Sequence, residues 1–180
     1  MEGKTITAWF VELGGDPSQI NELYRRKDQI YFPLLRERGI PRPGLVKLLE
    51  ELGDAGVTCA LATSARRVNM DLMLDLFDLR RFFPVTLGLE DVTHVKPHPE
   101  VFLRALERLC AKPSRCVVLE DAPKGVRAAI GAGIPVVGVP TPWTRNSCFD
   151  GVVLLVDSIE DLSAARLIAL LAPNQQTESL

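Results

Sequence analysis

Apolar residues recur along this chain with two different spacings, and the spacing changes at one place. From Thr5 to Leu13, and again from Asp16-Pro17 toward Arg38, the pattern is helical. The first stretch stops at Gly14-Gly15. In the second, Asp16 is placed to cap free amides and Pro17 suits a first turn. Pro33 predicts a disturbance inside that helix, and Gly39 its end. Ile40-Pro41-Arg42-Pro43-Gly44 reads as a stiff connector, dividing a helical piece (residues 1–40) from the remainder (residues 41–180).

Beyond the connector, short apolar runs alternate with helical stripes. Helices are predicted over Leu45–Leu52, Arg67–Phe77, Pro99–Cys110, Lys124–Ala132 and Leu162–Leu171. Strands are predicted over Val57–Ala62, Val85–Leu89, Cys116–Leu119, Pro135–Val139 and Val152–Val156. Apolar runs without alternation suit strands covered on both faces. Strand and helix in turn, joined by short connections, predict a Rossmann-like α/β fold, a parallel sheet with helices on both faces.

Composition adds limits. A hydrophobic fraction of 47% with 24% charged residues in 180 can bury a globular core. A net charge of −2 gives no electrostatic case for nucleic acid or an anionic membrane. No apolar run approaches the roughly 20 residues that cross a bilayer. The N-terminus lacks the basic and apolar regions of a secretion signal, so a cytoplasmic location is expected. Cys59, Cys110, Cys116 and Cys148 have no metal-finger spacing and are expected as buried free thiols.

Three polar sites stand out. Leu61-Ala62-Thr63-Ser64 closes one apolar run and Val117-Val118-Leu119-Glu120-Asp121 another, while Val95-Lys96-Pro97 precedes a helix. Ligands of open parallel sheets bind beyond the carboxyl ends of the strands, where Thr63, Ser64, Glu120 and Asp121 fall. A hydroxyl with free amides beyond it can cradle phosphate oxygens; equally, Thr63-Ser64 can cap the next helix. Adjacent carboxylates suit Mg²⁺, a hard cation that needs few protein oxygens. One of them could instead cap the helix at Pro123. His94 and His98 flank Lys96, but Pro97 denies them the single helical face of a metal pair, so both read as structural or solvated. Gly125, Ala128, Ala129, Gly131 and Gly133 are expected to let a helix lie close to the sheet.

The stretches "LATSA", "GLEDVTHVKPHPEVFLRAL" and "CVVLEDAPKGVRAAIGAGIPVVGV" follow, in order, motifs II, III and IV of the haloacid dehalogenase superfamily. The chain most resembles its beta-phosphoglucomutase-like branch. The resemblance implies a Mg²⁺-dependent phosphohydrolase acting on a small phosphorylated metabolite such as a sugar phosphate. It implies that Thr63 and Ser64 bind the phosphoryl group, that Lys96 neutralises phosphate and nucleophile, and that Glu120 and Asp121 hold Mg²⁺. Residues 1–40 resemble the later part of a helical cap, in which Lys27 matches a position that can approach substrate. Ile6 and Arg67 replace an arginine and an asparagine of the branch's mutases, which favours a phosphatase.

The family's first motif, a strand ending in Asp-x-Asp that supplies the nucleophile, would precede residue 1. Asp71, Asp75 and Asp78 lie in a predicted helix, and Phe149-Asp150-Gly151 precedes its strand, so none replaces it. The expectation is a truncated hydrolase, inactive as it stands; the alternative is a non-catalytic relative that binds phosphate or a protein partner. A receiver domain, with its acid pair first, has the wrong order. The absent strand would lie between Val57–Ala62 and Cys116–Leu119, leaving them roughly 9.5 Å apart. Such a gap closes into direct pairing, is filled by a segment of another chain, or leaves the chain partly unfolded and prone to aggregate; a gap or direct pairing is expected, with poor stability in solution.

Overall fold

The computed structural model describes residues 10–171. The expected first helix lies largely outside them, as does Ile6; residues 10–12 are helical and turn at 13–14. Asp16 caps as its position suggests, accepting from the Ser18 amide at 2.8 Å, and a short 3-10 turn leads into α1 (Ile20–Arg38). Pro33 does not disturb α1, contrary to expectation. This helix has no fully buried residue, so the carbonyl that Pro33 leaves unpaired, that of exposed Gln29, can be satisfied by water.

The connector ends at Gly44, whose φ of 79° is a left-handed conformation that glycine adopts without strain. Arg42 is fastened to the Val139 and Pro140 carbonyls at 2.9 and 3.0 Å. The chain then runs α2 (Leu45–Asp54), β1 (Ala60–Ala62), α3 (Arg67–Leu76), β2 (Val85–Leu87), α4 (Glu100–Leu109), β3 (Val118–Glu120), α5 (Pro123–Gly131), β4 (Val136–Gly138), β5 (Leu154–Leu155) and α6 (Ala164–Ala169). Every expected element beyond the connector is present. The strands are shorter than their apolar runs because regular pairing covers only part of each.

All strand pairs are parallel, but they form two sheets: β1 with β2, and β3 with β4 and β5. Among the described residues no hydrogen bond joins β1 to β3. The order β2-β1, gap, β3-β4-β5 reverses direction at the gap, which makes it the topological switch point of the sheet. Of the two arrangements expected for the missing strand, an open gap or direct pairing, the structure has the open gap.

That gap is a cleft of about 340 Å³. Its walls are β1 and β3. Leu48, Leu49 and Leu52 of α2 line it on one face, and Phe102, Ala105 and Leu106 of α4 on the other. The helical layers meeting it are well packed. Val101, Phe102, Ala105 and Leu106 of α4 join Val126, Ala128 and Ala129 of α5 in one cluster. Leu48 and Leu52 join Val137, Val139 and Leu167 across the sheet in a second, and Leu49 joins Met70 and Leu74 of α3 in a third. Helices therefore cover both faces of a sheet whose middle is open.

The register identifies which backbone groups look into the cleft. The Thr63 amide donates to Leu87 and the Val118 amide to Pro135, both at 2.9 Å. Amides alternate in direction along a strand, so Ala62 and Leu119 point the other way, into the cleft. Their amides should exchange with solvent deuterium at least about tenfold faster than that of Val137, whose strand is paired on both sides. Equal protection of Leu119 and Val137 would mean that the two sheets close in solution.

Candidate active site

Lys96 spans the mouth of the cleft. Its ammonium donates to the Ala62 carbonyl at 3.0 Å, at the end of β1, and forms a short ion pair with Glu120, at the end of β3. The same ammonium lies 4.6 Å from the centroid of the Phe102 ring. The Lys96 and Glu120 side chains are only 7% and 9% exposed. Burial pushes the Glu120 carboxyl above the usual carboxylate range, the Lys96 charge only partly opposing it. The Lys96-Pro97 peptide is cis.

Gly125 has a further reason for being glycine beyond close approach to the sheet. A Cβ on Gly125 would lie 2.0 Å from the Glu120 carboxyl, so the residue leaves room for that side chain as well as for the sheet. Glu120 thus sits between Lys96 and the first turn of α5.

Thr63 continues β1 by donating its amide to Leu87, and its hydroxyl accepts from the Ala65 amide at 3.1 Å. It stabilises the turn after the strand and does not cap α3. The residue at that cap position is Arg66, and the Arg67 amide is instead met by Glu90 at 2.8 Å. Ser64 lies in the same turn, half-buried. Asp121 is exposed, and its carbonyl accepts from the Thr144 hydroxyl at 2.6 Å. The adjacent acids therefore have different surroundings. Glu120 is already committed to Lys96, whereas Asp121 presents an open carboxylate at the end of β3.

Lys27 is not brought to this cluster by any contact among the described residues. It pairs with Asp28 at 2.7 Å and lies 5.2 Å from the Tyr31 ring centroid. Asp28 also accepts from Arg66 at 3.1 Å and Asn69 at 3.2 Å, fastening α1 to the turn that carries Thr63 and to α3. Burial opposes ionisation of Asp28, but Lys27, Asn69 and Arg66 together hold its carboxyl below the usual range. Nothing in the spacing of Asp28 and Asn69 announces this link, which needs two helices to pack.

Arg67, Asp91 and Arg108 form another ion-pair group, and Arg80 pairs with Asp71 and Asp75 in the helix where no nucleophile was expected. Two cysteines depart from expectation: Cys110 and Cys148 are exposed, because they lie just beyond α4 and in the loop before β5. Cys59 and Cys116 are partly buried, and burial pushes both thiols up. His94 and His98 are both exposed, as the solvated reading expects. They lie in a loop, where helical geometry does not apply, with ring centroids 4.6 Å apart.

Removing Lys96 leaves Glu120 buried without its cation, which costs about 3–5 kcal/mol, against about 0–1 kcal/mol for an exposed pair. Lys96→Met is therefore expected to be strongly destabilised at neutral pH, and Lys96→Met with Glu120→Gln less so. A carboxyl raised in the folded state takes up its proton there first. The deficit of Lys96→Met should shrink as pH falls through the folded-state value toward 4.5, and grow as pH rises. Urea titrations of both variants at several pH values check this; a pH-independent deficit would contradict it.

The family profile described as haloacid dehalogenase-like hydrolase matches residues 2–139. The chain is 34% identical over 146 residues to the plasmid CbbY protein of Cupriavidus necator, covering 79% of this chain and 58% of that one. It is 33% identical over 165 residues to CbbY of Cereibacter sphaeroides, covering 88% and 72%. A solved structure of CbbY from Rhodobacter sphaeroides in complex with xylulose-(1,5)bisphosphate superposes with a TM-score of 0.79 at 33% identity, over 85% of this chain and 70% of that one. The chain thus spans little more than half of the Cupriavidus protein. The parallel α/β layers, the site at the switch point and these matches agree: the chain belongs to the haloacid dehalogenase-like hydrolases.

Proposed function

We propose that this chain carries the phosphate-handling half of a Mg²⁺-dependent phosphatase for small phosphorylated sugars. The observation that supports it most is the position of Lys96, whose ammonium lies where β1, β3 and the cleft meet. A phosphoryl group at that mouth would find the Thr63 turn on one side and Lys96 beneath it. The similarity to a CbbY structure holding a sugar bisphosphate supports the substrate class. Residues 1–40 serve as part of a cap in this reading, with α1 fastened to the Thr63 turn through Asp28 and Arg66. Lys27 would contribute only after leaving Asp28.

Asp121 suits Mg²⁺ better than Glu120 does. An exposed carboxylate at a strand end fits a hard cation that retains waters, while Glu120 gives one oxygen to Lys96. When bound, Mg²⁺ neutralises negative charge on a transferring phosphoryl group. Thr63 would orient that group, Lys96 would balance its charge, and Glu120 would hold Lys96 in place.

The 180 residues alone are proposed not to turn over. Formation of an aspartyl phosphate requires a carboxylate in line with phosphorus, and the candidate acids of α3 are held by Arg80. A second reading, a non-catalytic phosphate or protein binder, draws on the same cleft.

Two measurements test the proposal. Calorimetry should find Mg²⁺ bound no more tightly than about millimolar, and weaker in Asp121→Ala, because few protein oxygens hold it. Tight binding that survives Asp121→Ala would remove that assignment. Joining a family N-terminal segment with its paired aspartates should give Mg²⁺-dependent hydrolysis of sugar phosphates, reduced by about 10²-fold or more in Lys96→Ala. Hydrolysis by the 180 residues themselves would point to another nucleophile; none in the joined protein would favour the binder.

A further inference from the structure

Outside the Lys96 site, one group of side chains has the composition and spacing of a metal centre. His94, His98 and Glu100 each offer a ligand atom, and these atoms all lie within 4.8 Å of one another. Among the described residues no other such group of three histidine, cysteine or acidic side chains occurs. His94 Nδ1 is 3.1 Å from a Glu100 oxygen, and the two imidazoles stack at an interplanar angle of 33°.

We propose that His94, His98 and Glu100 bind a divalent transition-metal ion of the zinc class, separate from any Mg²⁺ at Asp121. The donor set is the first argument. Two imidazoles with one carboxylate favour zinc, nickel or copper, whereas magnesium prefers oxygen alone. Distance is the second. Zinc holds nitrogen and oxygen at about 2.0–2.2 Å, which places tetrahedral ligand atoms roughly 3.3–3.5 Å apart. Both histidines are exposed, so small side-chain rotations can bring 4.8 Å to that value without moving the core.

The third argument is how the carboxylate is held. Glu100 accepts from the Thr93 amide at 3.0 Å, the His94 amide at 2.8 Å and Arg104 at 2.9 Å. A ligand fixed by such outer hydrogen bonds loses little freedom on binding. There is a competing contact: His98 Nδ1 accepts from the Glu100 amide at 3.2 Å. A metal at that nitrogen must replace this bond, and its loss weakens binding.

The consequence concerns Lys96, which lies between the two histidines in sequence. A bound ion would close residues 94–100 into one ring, and so stiffen the loop that delivers the ammonium to Glu120.

Calorimetric titration of ZnCl₂ into the protein, in millimolar Mg²⁺, tests this directly. One ion per chain is expected, with affinity lowered at least about tenfold in His94→Ala and again in His98→Ala. Cys110→Ser with Cys148→Ser should bind as the wild type does, as should Asp121→Ala. Melting curves with and without zinc confirm that the exposed histidine variants fold, and only the protein with both histidines should gain stability from the ion. Affinity unchanged in the double histidine variant overturns the site, as does binding lost only with the cysteines or with Asp121. Absence of zinc binding in the wild type overturns it too. None of these results depends on whether the protein is a phosphatase.

Discussion

A buried ammonium holds this structure open and closed at once. Lys96 reaches the last carbonyl of β1 and the last side chain of β3, two strands that share no hydrogen bond. Its pairing with Glu120 is the only direct link between the half-sheets at the site end that the described hydrogen bonds provide. A charge so little exposed is costly unless compensated. Carbonyl, carboxylate and the face of Phe102 together supply that compensation. The residue expected to balance substrate charge is therefore also a structural tie, and a variant at Lys96 will mix both effects unless stability is measured alongside activity.

Much of this was legible from residue order. The alternation of apolar runs and helical stripes is a local property, and it located each helix and strand beyond the connector to within a few residues. Asp16, Gly39 and Gly44 mark their turns through backbone chemistry that acts within a few residues. The polar residues at strand ends were likewise visible, because a parallel sheet brings all its carboxyl ends to one edge. What sequence could not show is which of two adjacent acids turns inward. Glu120 and Asp121 look equivalent in the chain, and only the packing of α5, through Gly125, makes a space for one of them.

Other misses have the same origin. Asp28 and Asn69 are 41 positions apart, and meet only because α1 lies against α3. Pro33 predicts a disturbance from the chain alone, yet α1 has no fully buried residue and tolerates it.

The open middle of the sheet bears on how the two halves of the site cooperate. The apolar clusters span the gap: Leu87 of β2 and Val136 of β4 share one through α4 and α5, and Leu48 and Leu52 of α2 share another with Val137, Val139 and Leu167, while only the cluster of Leu49, Met70 and Leu74 belongs to one side. α2 and α4 contribute to the lining of the cleft. Thr63 belongs to the first half-sheet and Asp121 to the second, so their separation depends on the helices that span both and on whatever occupies the cleft. Anything that lies there as a parallel strand would satisfy the inward-facing groups of Ala62 and Leu119, and fix that distance. Geometry for phosphoryl transfer tolerates little error. Cleft occupancy therefore bears on the spacing of Thr63 and Asp121 through the sheet itself, while Lys96 ties the ends of β1 and β3 at the mouth.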